Sequence, residues 1–166
     1  LIGDNQPFNP QPFLHLADVV ILFGANHFAN QLPPSSGWIV WDKKCGLVPN
    51  DFSDCELAWT NQNKRAKVFP FLWAGLYRAG SRKEDGIKRS HPTQKPVALF
   101  SWLMEEYSQP RDLCFDPFLG SGTSLIAAEK TGRICLAMEL EPLYCDVAIR
   151  RWEKYCGKKA KKIIKG

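Results

Sequence analysis

The stretch LCFDPFLGSGTSLIAAEKTGRICLAME, Leu113 to Glu139, reads as one strand–loop–helix–strand unit. Leu113-Cys114-Phe115 is a short apolar run. It stops at Asp116-Pro117, because proline has no N–H to give to a sheet ladder. Gly120-Ser121-Gly122-Thr123 follows as a turn in which two residues lack a Cβ, so the backbone can take unusual dihedrals and lie close to a ligand. From Thr123, apolar Leu125, Ile126 and Ala128 with Glu129 and Lys130 outside predict a partly buried helix, and Gly132 suits its C-terminal stop. Ile134 to Met138 is the second apolar run, closed by Glu139. An acid some twenty residues after a glycine turn suits the hydroxyls of a nucleoside ribose, the turn holding the rest of the ligand. On its own the turn fits an ordinary tight loop equally well, and Glu139 a surface acid at a strand end.

The composition is that of one folded domain. The 166 residues include six Trp and ten Phe, which disfavours disorder. No run approaches the ~18 apolar residues of a membrane span. Leu1-Ile2-Gly3-Asp4 has neither an initiator Met nor the grading of a secretory signal, so the chain is expected to begin inside a longer one. The six Cys have no CxxC spacing and the three His are far apart. Reduced thiols in a cytoplasmic protein, and no metal site, are the expectation.

Charge is unevenly placed. Of the net +5, the whole excess lies in five Lys after Cys156 (158, 159, 161, 162, 165). Lys64 to Lys95 carries nine basic residues against Glu84 and Asp85. A basic segment on an otherwise acidic body is what a domain meeting a polyanion on one side requires, although a solvated loop and a frayed Lys tail would look the same.

Val19 to Phe23 is the cleanest buried-strand signal, stopped by Gly24. Gly24 to Phe28 then enters a short helix ending before Pro33-Pro34. Asn26 and His27, just past a buried strand, are placed to contact substrate or cofactor, or to serve the fold alone. Residues 37–42 and 55–60 read as two more strands, and Phe13 to Ala17 as a short helix. Trp38, Trp41 and Trp59 fit core packing better than base stacking. Phe69 to Tyr77 matches neither helix nor strand spacing. Arg78 to Arg89, almost without apolar residues, is expected to be an exposed, mobile loop. His91-Pro92-Thr93-Gln94-Lys95-Pro96 leads rigidly into a helix with Pro96 at its first position, ending near Ser108. Pro142 opens a last helix. Helical patterns interleaved with apolar runs argue an α/β fold, a mixed sheet with helices on both faces.

Asp116-Pro117-Phe118-Leu119-Gly120-Ser121-Gly122-Thr123 closely resembles the cofactor motif of the DNA amino-methyltransferases, which use S-adenosylmethionine to methylate adenine N6 or cytosine N4. The segment His91 to Pro96 resembles the part of that family lying just before the motif. Gly24 with Asn26, Trp38 to Lys43, Glu56 to Thr60, and Tyr144 with Arg150 also resemble it. The likeness covers most of Leu1 to Tyr155, and the two motifs in this order are quite specific.

The resemblance implies a Rossmann-like methyltransferase fold in a single domain over residues 1–156, followed by a Lys-rich tail at 157–166. It implies a cofactor site at Asp116, Phe118, Gly120, Ser121, Gly122, Thr123 and Glu139. Lys95 and Thr93 would serve the cofactor's amino-acid end. Double-stranded DNA is the expected partner, with Lys64, Arg65, Arg82, Lys83, Lys88 and Arg89 on its phosphates, and no membrane; a homodimer is a further expectation. The family's catalytic Asp/Asn/Ser-Pro-Pro-Tyr/Phe segment does not occur in residues 1–166. In this family order it is expected upstream of Leu1, and without it the chain would be an inactive cofactor- or DNA-binding remnant. An NAD enzyme is disfavoured, since the turn has no G-x-G-x-x-G and follows Asp-Pro.

Overall fold

The computed structural model describes residues 7–47, 51–74, 77–85 and 93–163. The chain divides into two compact units, Leu1–Ala79 and Gly80–Gly166.

The first unit is built on a four-stranded sheet of β1 (Ile21–Phe23), β2 (Trp38–Asp42), β3 (Cys55–Thr60) and β4 (Lys67–Pro70), in the order β1-β3-β2-β4. β3 runs antiparallel to both neighbours, with Ile21 opposite Thr60 and Trp38 opposite Trp59, whereas β2 and β4 are parallel. The sheet is therefore mixed. Trp41 and Trp59 are nearly fully buried, and each indole N–H finds a carbonyl, Phe71 and Pro33 respectively, both at 3.1 Å. Burial without that partner would cost ~1–3 kcal/mol. Trp59 joins Leu14, Val20, Ala25 and Phe28 in one apolar cluster, with Trp38 packed against it.

Three local expectations change. The strand expected from Val19 begins only at Ile21, because the Val20 amide donates to the Asn61 side chain at 2.9 Å instead of to a ladder. The helix expected at 13–17 is a 3-10 turn at Gln11–Phe13 with proline at its start. The unassigned aromatic stretch holds β4 and a short antiparallel pair, β5 (Trp73–Ala74) and β6 (Tyr77–Arg78).

The second unit contains α1 (Arg82–Asp85), α2 (Val97–Tyr107), β7 (Leu113–Asp116), α3 (Thr123–Thr131), β8 (Ile134–Ala137) and α4 (Pro142–Cys156). β7 and β8 pair in parallel, Leu113 beside Ile134 and Phe115 beside Leu136. Cys114 and Cys135 turn toward a cluster of Val97 and Met104 from α2 with Ile126, Ala127 and Ala128 from α3. The other face carries Leu113, Phe115, Ile134 and Leu136, all exposed. Alternation along both strands is thus apolar on both sides, the pattern of a parallel sheet meant for covering on both faces.

Helix ends follow local chemistry. Gly132 stops α3 in the left-handed region at φ +72°, its N–H donating to the Ala128 carbonyl. Pro96 is the extended residue before α2, not its first helical one, and α2 begins at Val97. The segment expected to be an exposed loop from Arg78 instead forms β6 and α1, and Asp85 is 2 % exposed. Residues 86–90 lie outside the described residues. The tail, expected to fray, is tied at its start: Lys158 pairs with Glu129, and Lys159 with Glu153 at 2.9 Å. Such exposed pairs, screened by solvent, contribute little to stability.

Candidate cofactor site

The glycine turn sits between the end of β7 and the start of α3, and each of its polar residues is held by a specific contact. Asp116 closes β7. Its Oδ1 accepts the Phe118 amide at 3.0 Å, and its Oδ2 accepts the Ser124 hydroxyl at 2.5 Å. One carboxylate therefore ties the strand end to both sides of the turn. Pro117 ends the strand, and Phe118, which follows it, is 61 % exposed.

Gly122 opens α3 at φ +86°. A Cβ added there would lie 2.8 Å from Ala148 Cβ and 2.9 Å from Ala148 Cα on α4. Glycine is required twice over, for the dihedral and for the helix–helix approach. Gly122, the residue before α3, has no side chain to cap it, and among the described residues no other side chain does so. The first amides of α3 and the positive end of the helix dipole are thus arranged for an anion such as a carboxylate.

Glu139 lies just past β8, nineteen residues beyond Gly120, yet accepts its amide through Oε2 at 2.7 Å. Oε1 accepts the Glu141 amide at 2.9 Å. The carboxylate therefore stands beside the turn with a lone pair on each oxygen still to offer. Thr123 donates its hydroxyl to the Lys95 carbonyl at 3.1 Å, joining the turn to the segment before α2. Lys95 is half-buried and Thr93 exposed.

Arg151, on α4, is the residue that reading the sequence missed. Its Nη1 donates to the Ser121 carbonyl at 2.6 Å and to Ser121 Oγ at 2.9 Å, and its Nη2 donates to the Glu84 carbonyl at 2.9 Å. Arg150, which carries part of the family resemblance, is exposed instead. Asp85 Oδ1 accepts the Val97 amide at 2.8 Å, so a residue from α1 caps α2. Burial pushes the Asp85 carboxyl above the ordinary carboxylate range, against the lowering effects of that amide and of Arg151. Burial also lowers Arg151, with Asp85 opposing. Under the turn, burial reinforced by Asp116 pushes the Cys135 thiol up to about 12.

The residues expected on DNA fall in both units. Asn26 and His27 are exposed in a 3-10 turn after β1, and Lys64 and Arg65 are exposed between β3 and β4, all in the first unit. Arg82 and Lys83 belong to α1 of the second unit, where Lys83 Nζ lies 5.5 Å from the Tyr155 ring centroid. Lys88 and Arg89, with His91 and Pro92, lie outside the described residues.

Comparison with known proteins meets this geometry. The family model for the N6/N4 DNA methylases, described as DNA methylase, matches residues 34–150. The chain belongs to the N6/N4 DNA methyltransferase family. These enzymes depend on S-adenosylmethionine. Among family relatives, the chain is 34 % identical over 120 residues to the type II methyltransferase M2.MboI of Moraxella bovis, covering 72 % of this chain and 42 % of the relative. It is 31 % identical over 131 residues to the type II methyltransferase M.HinfI of Haemophilus influenzae, covering 78 % of this chain and 34 % of that one. The chain thus spans less than half the length of these two methyltransferases. Its fold is similar to that of M1.HpyAVI, solved in complex with S-adenosylmethionine, at a TM-score of 0.58 and 21 % identity over 86 % of this chain and 78 % of that one. It is also similar to the cytosine-N4-specific PvuII DNA methyltransferase, at a TM-score of 0.50 and 19 % identity over 70 % and 50 %. The mixed α/β arrangement is the Rossmann-like fold of these methyltransferases.

Proposed function

We propose that this chain binds S-adenosylmethionine in a DNA methyltransferase that modifies an exocyclic amine, adenine N6 in preference to cytosine N4. The observation that carries the reading is the Gly120–Glu139 bond, which brings the ribose-type acid to the side of the glycine turn. The cofactor supplies an electrophilic methyl on a sulfonium sulfur. Every other task falls to the protein. The α3 N-terminus and Lys95 would hold the cofactor carboxylate, Glu139 the ribose hydroxyls, and Asp116 the turn itself.

The target amine is a weak nucleophile, its lone pair delocalised into the base. It has to be held about 3–3.5 Å from the methyl carbon, with acceptors for its protons as the new bond forms. Residues 1–166 contain no Asp-Pro-Pro-Tyr-type segment to supply those acceptors. Asn26 and His27 are the proposed contacts to the target strand. Lys64, Arg65, Arg82, Lys83, Lys88 and Arg89 are the proposed phosphate contacts. A target inside a duplex must first be flipped out, at a cost of a few kcal/mol.

The test is methyl transfer from labelled S-adenosylmethionine to duplex DNA by the full-length protein, with the product digested to nucleosides. N6-methyladenine is the expected product. N4-methylcytosine would reassign the base, and cofactor binding without any methylated product would leave a binding protein in place of an enzyme.

A further inference from the structure

The second unit contains a closed ring of contacts that the cofactor reading does not use. It runs from the Ser121 carbonyl to Arg151, from Arg151 to the Glu84 carbonyl, and along α1 to Asp85. Asp85 continues it to the Val97 amide, and its own carbonyl accepts from Gln94 Nε2 at 2.9 Å. The Lys95 carbonyl then accepts from Thr123, two residues past Ser121. The Arg151 guanidinium joins two segments of this ring, and it enters the turn through the Ser121 carbonyl and hydroxyl. Asp85 is 2 % exposed, and its Oδ2 has no hydrogen-bond partner among the described residues.

We propose that Arg151 is a positioning residue for the cofactor turn: it fixes the Ser121 peptide so that the turn and the α3 N-terminus keep the geometry the cofactor needs. The inference rests on the S-adenosylmethionine reading. A bidentate guanidinium suits the task because two N–H groups in fixed directions can hold carbonyls from two different segments at once, which an ammonium cannot do with the same rigidity. Arginine also stays charged despite its burial.

The test uses the whole chain and two readouts. S-adenosylmethionine affinity is measured by calorimetry for wild type, R151K and R151M. Amide exchange at residues 120–124 is measured on the same proteins without ligand, with far-UV circular dichroism and thermal unfolding to establish folding. R151M is expected to bind at least tenfold more weakly and to exchange faster at the turn while remaining folded. R151K is expected to recover only part of the affinity, since it keeps the charge and loses the fork. Unchanged affinity and unchanged exchange in folded R151M would overturn the inference. A merely structural role would lower the melting temperature and leave the folded protein's affinity intact, which also overturns it. Should R151M not fold, R151K decides alone, and wild-type affinity there overturns the inference. Absence of binding by wild type overturns the cofactor reading and this inference together, an outcome distinct from wild-type binding with equal binding by the variants.

Discussion

Glu139 and Gly120 are nineteen residues apart in sequence and 2.7 Å apart in space, carboxylate oxygen to amide nitrogen. A hydrogen bond to a charged acceptor is stronger than a neutral one, and this one fixes the turn from the far side of α3. Loss of the carboxylate therefore affects turn geometry as well as any ribose contact. E139A is expected to weaken S-adenosylmethionine binding by roughly 10–100-fold, from the ~1.5–3 kcal/mol of a charged hydrogen bond. E139Q, which keeps one acceptor, should lose less. Calorimetric titration of the three proteins checks both.

Gly122 and Gly132 have similar left-handed dihedrals and different surroundings. A Cβ at Gly122 meets Ala148 backbone and side chain, whereas at Gly132 nothing lies within 4 Å. G132A is expected to cost about 1–2 kcal/mol, the dihedral alone. G122A adds a packing clash and should cost about 2–5 kcal/mol in total. Urea unfolding midpoints order the two variants, and an equal loss would mean that α4 moves aside freely.

The raised Asp85 carboxyl makes stability depend on pH in a stated direction. With the folded-state value above the unfolded one, the folded chain binds the proton more tightly. The contribution is full below the ordinary carboxylate range and is lost as pH rises through the raised value. D85N keeps an acceptor for the Val97 amide and removes the titration. The stability of wild type relative to D85N should therefore fall on going from acid toward neutral pH and then level off. Melting temperatures of both proteins across pH 4–8 test the sign.

DNA affinity is expected to fall with salt, each phosphate contact contributing about −0.9 to the slope of log K against log salt. Replacing Lys64 and Arg65 by Gln should flatten that slope by about 2 if both touch phosphate. A slope unchanged by the double replacement would remove this pair from the interface.

Cys135 should resist alkylation. Only the thiolate reacts, and a thiol raised to about 12 has almost none at pH 8. Modification of Cys135, followed by mass spectrometry, is expected only after unfolding.

What was legible in the sequence was local. Gly132 as the end of α3, Asp-Pro as the end of β7 and the helix opening at Thr123 follow from dihedral and donor rules that act within a few residues. The pairing of Glu139 with the turn was legible as a neighbourhood, though not as a bond to Gly120. Arg151 was hidden because its partners lie 30 and 67 residues away, and both include main-chain carbonyls that no residue type announces. Asp85 was hidden by its surroundings, since an acid among lysines and arginines looks solvated. The 3-10 turn and the late start of β1 arose from proline and from Asn61, a side chain forty-one residues distant.

The bare side of the β7–β8 pair governs how residues 1–166 behave in a test tube. Leu113, Phe115, Ile134 and Leu136 offer water a strip of hydrocarbon, and such strips drive sticking and clumping when left unshielded. Preparations of residues 1–166 should light up a hydrophobic dye and scatter more as protein concentration rises. Lysine or glutamate placed at Leu113 and Ile134 should quieten both signals, and the glycine turn at the far end of β7 offers a separate check that the fold survives.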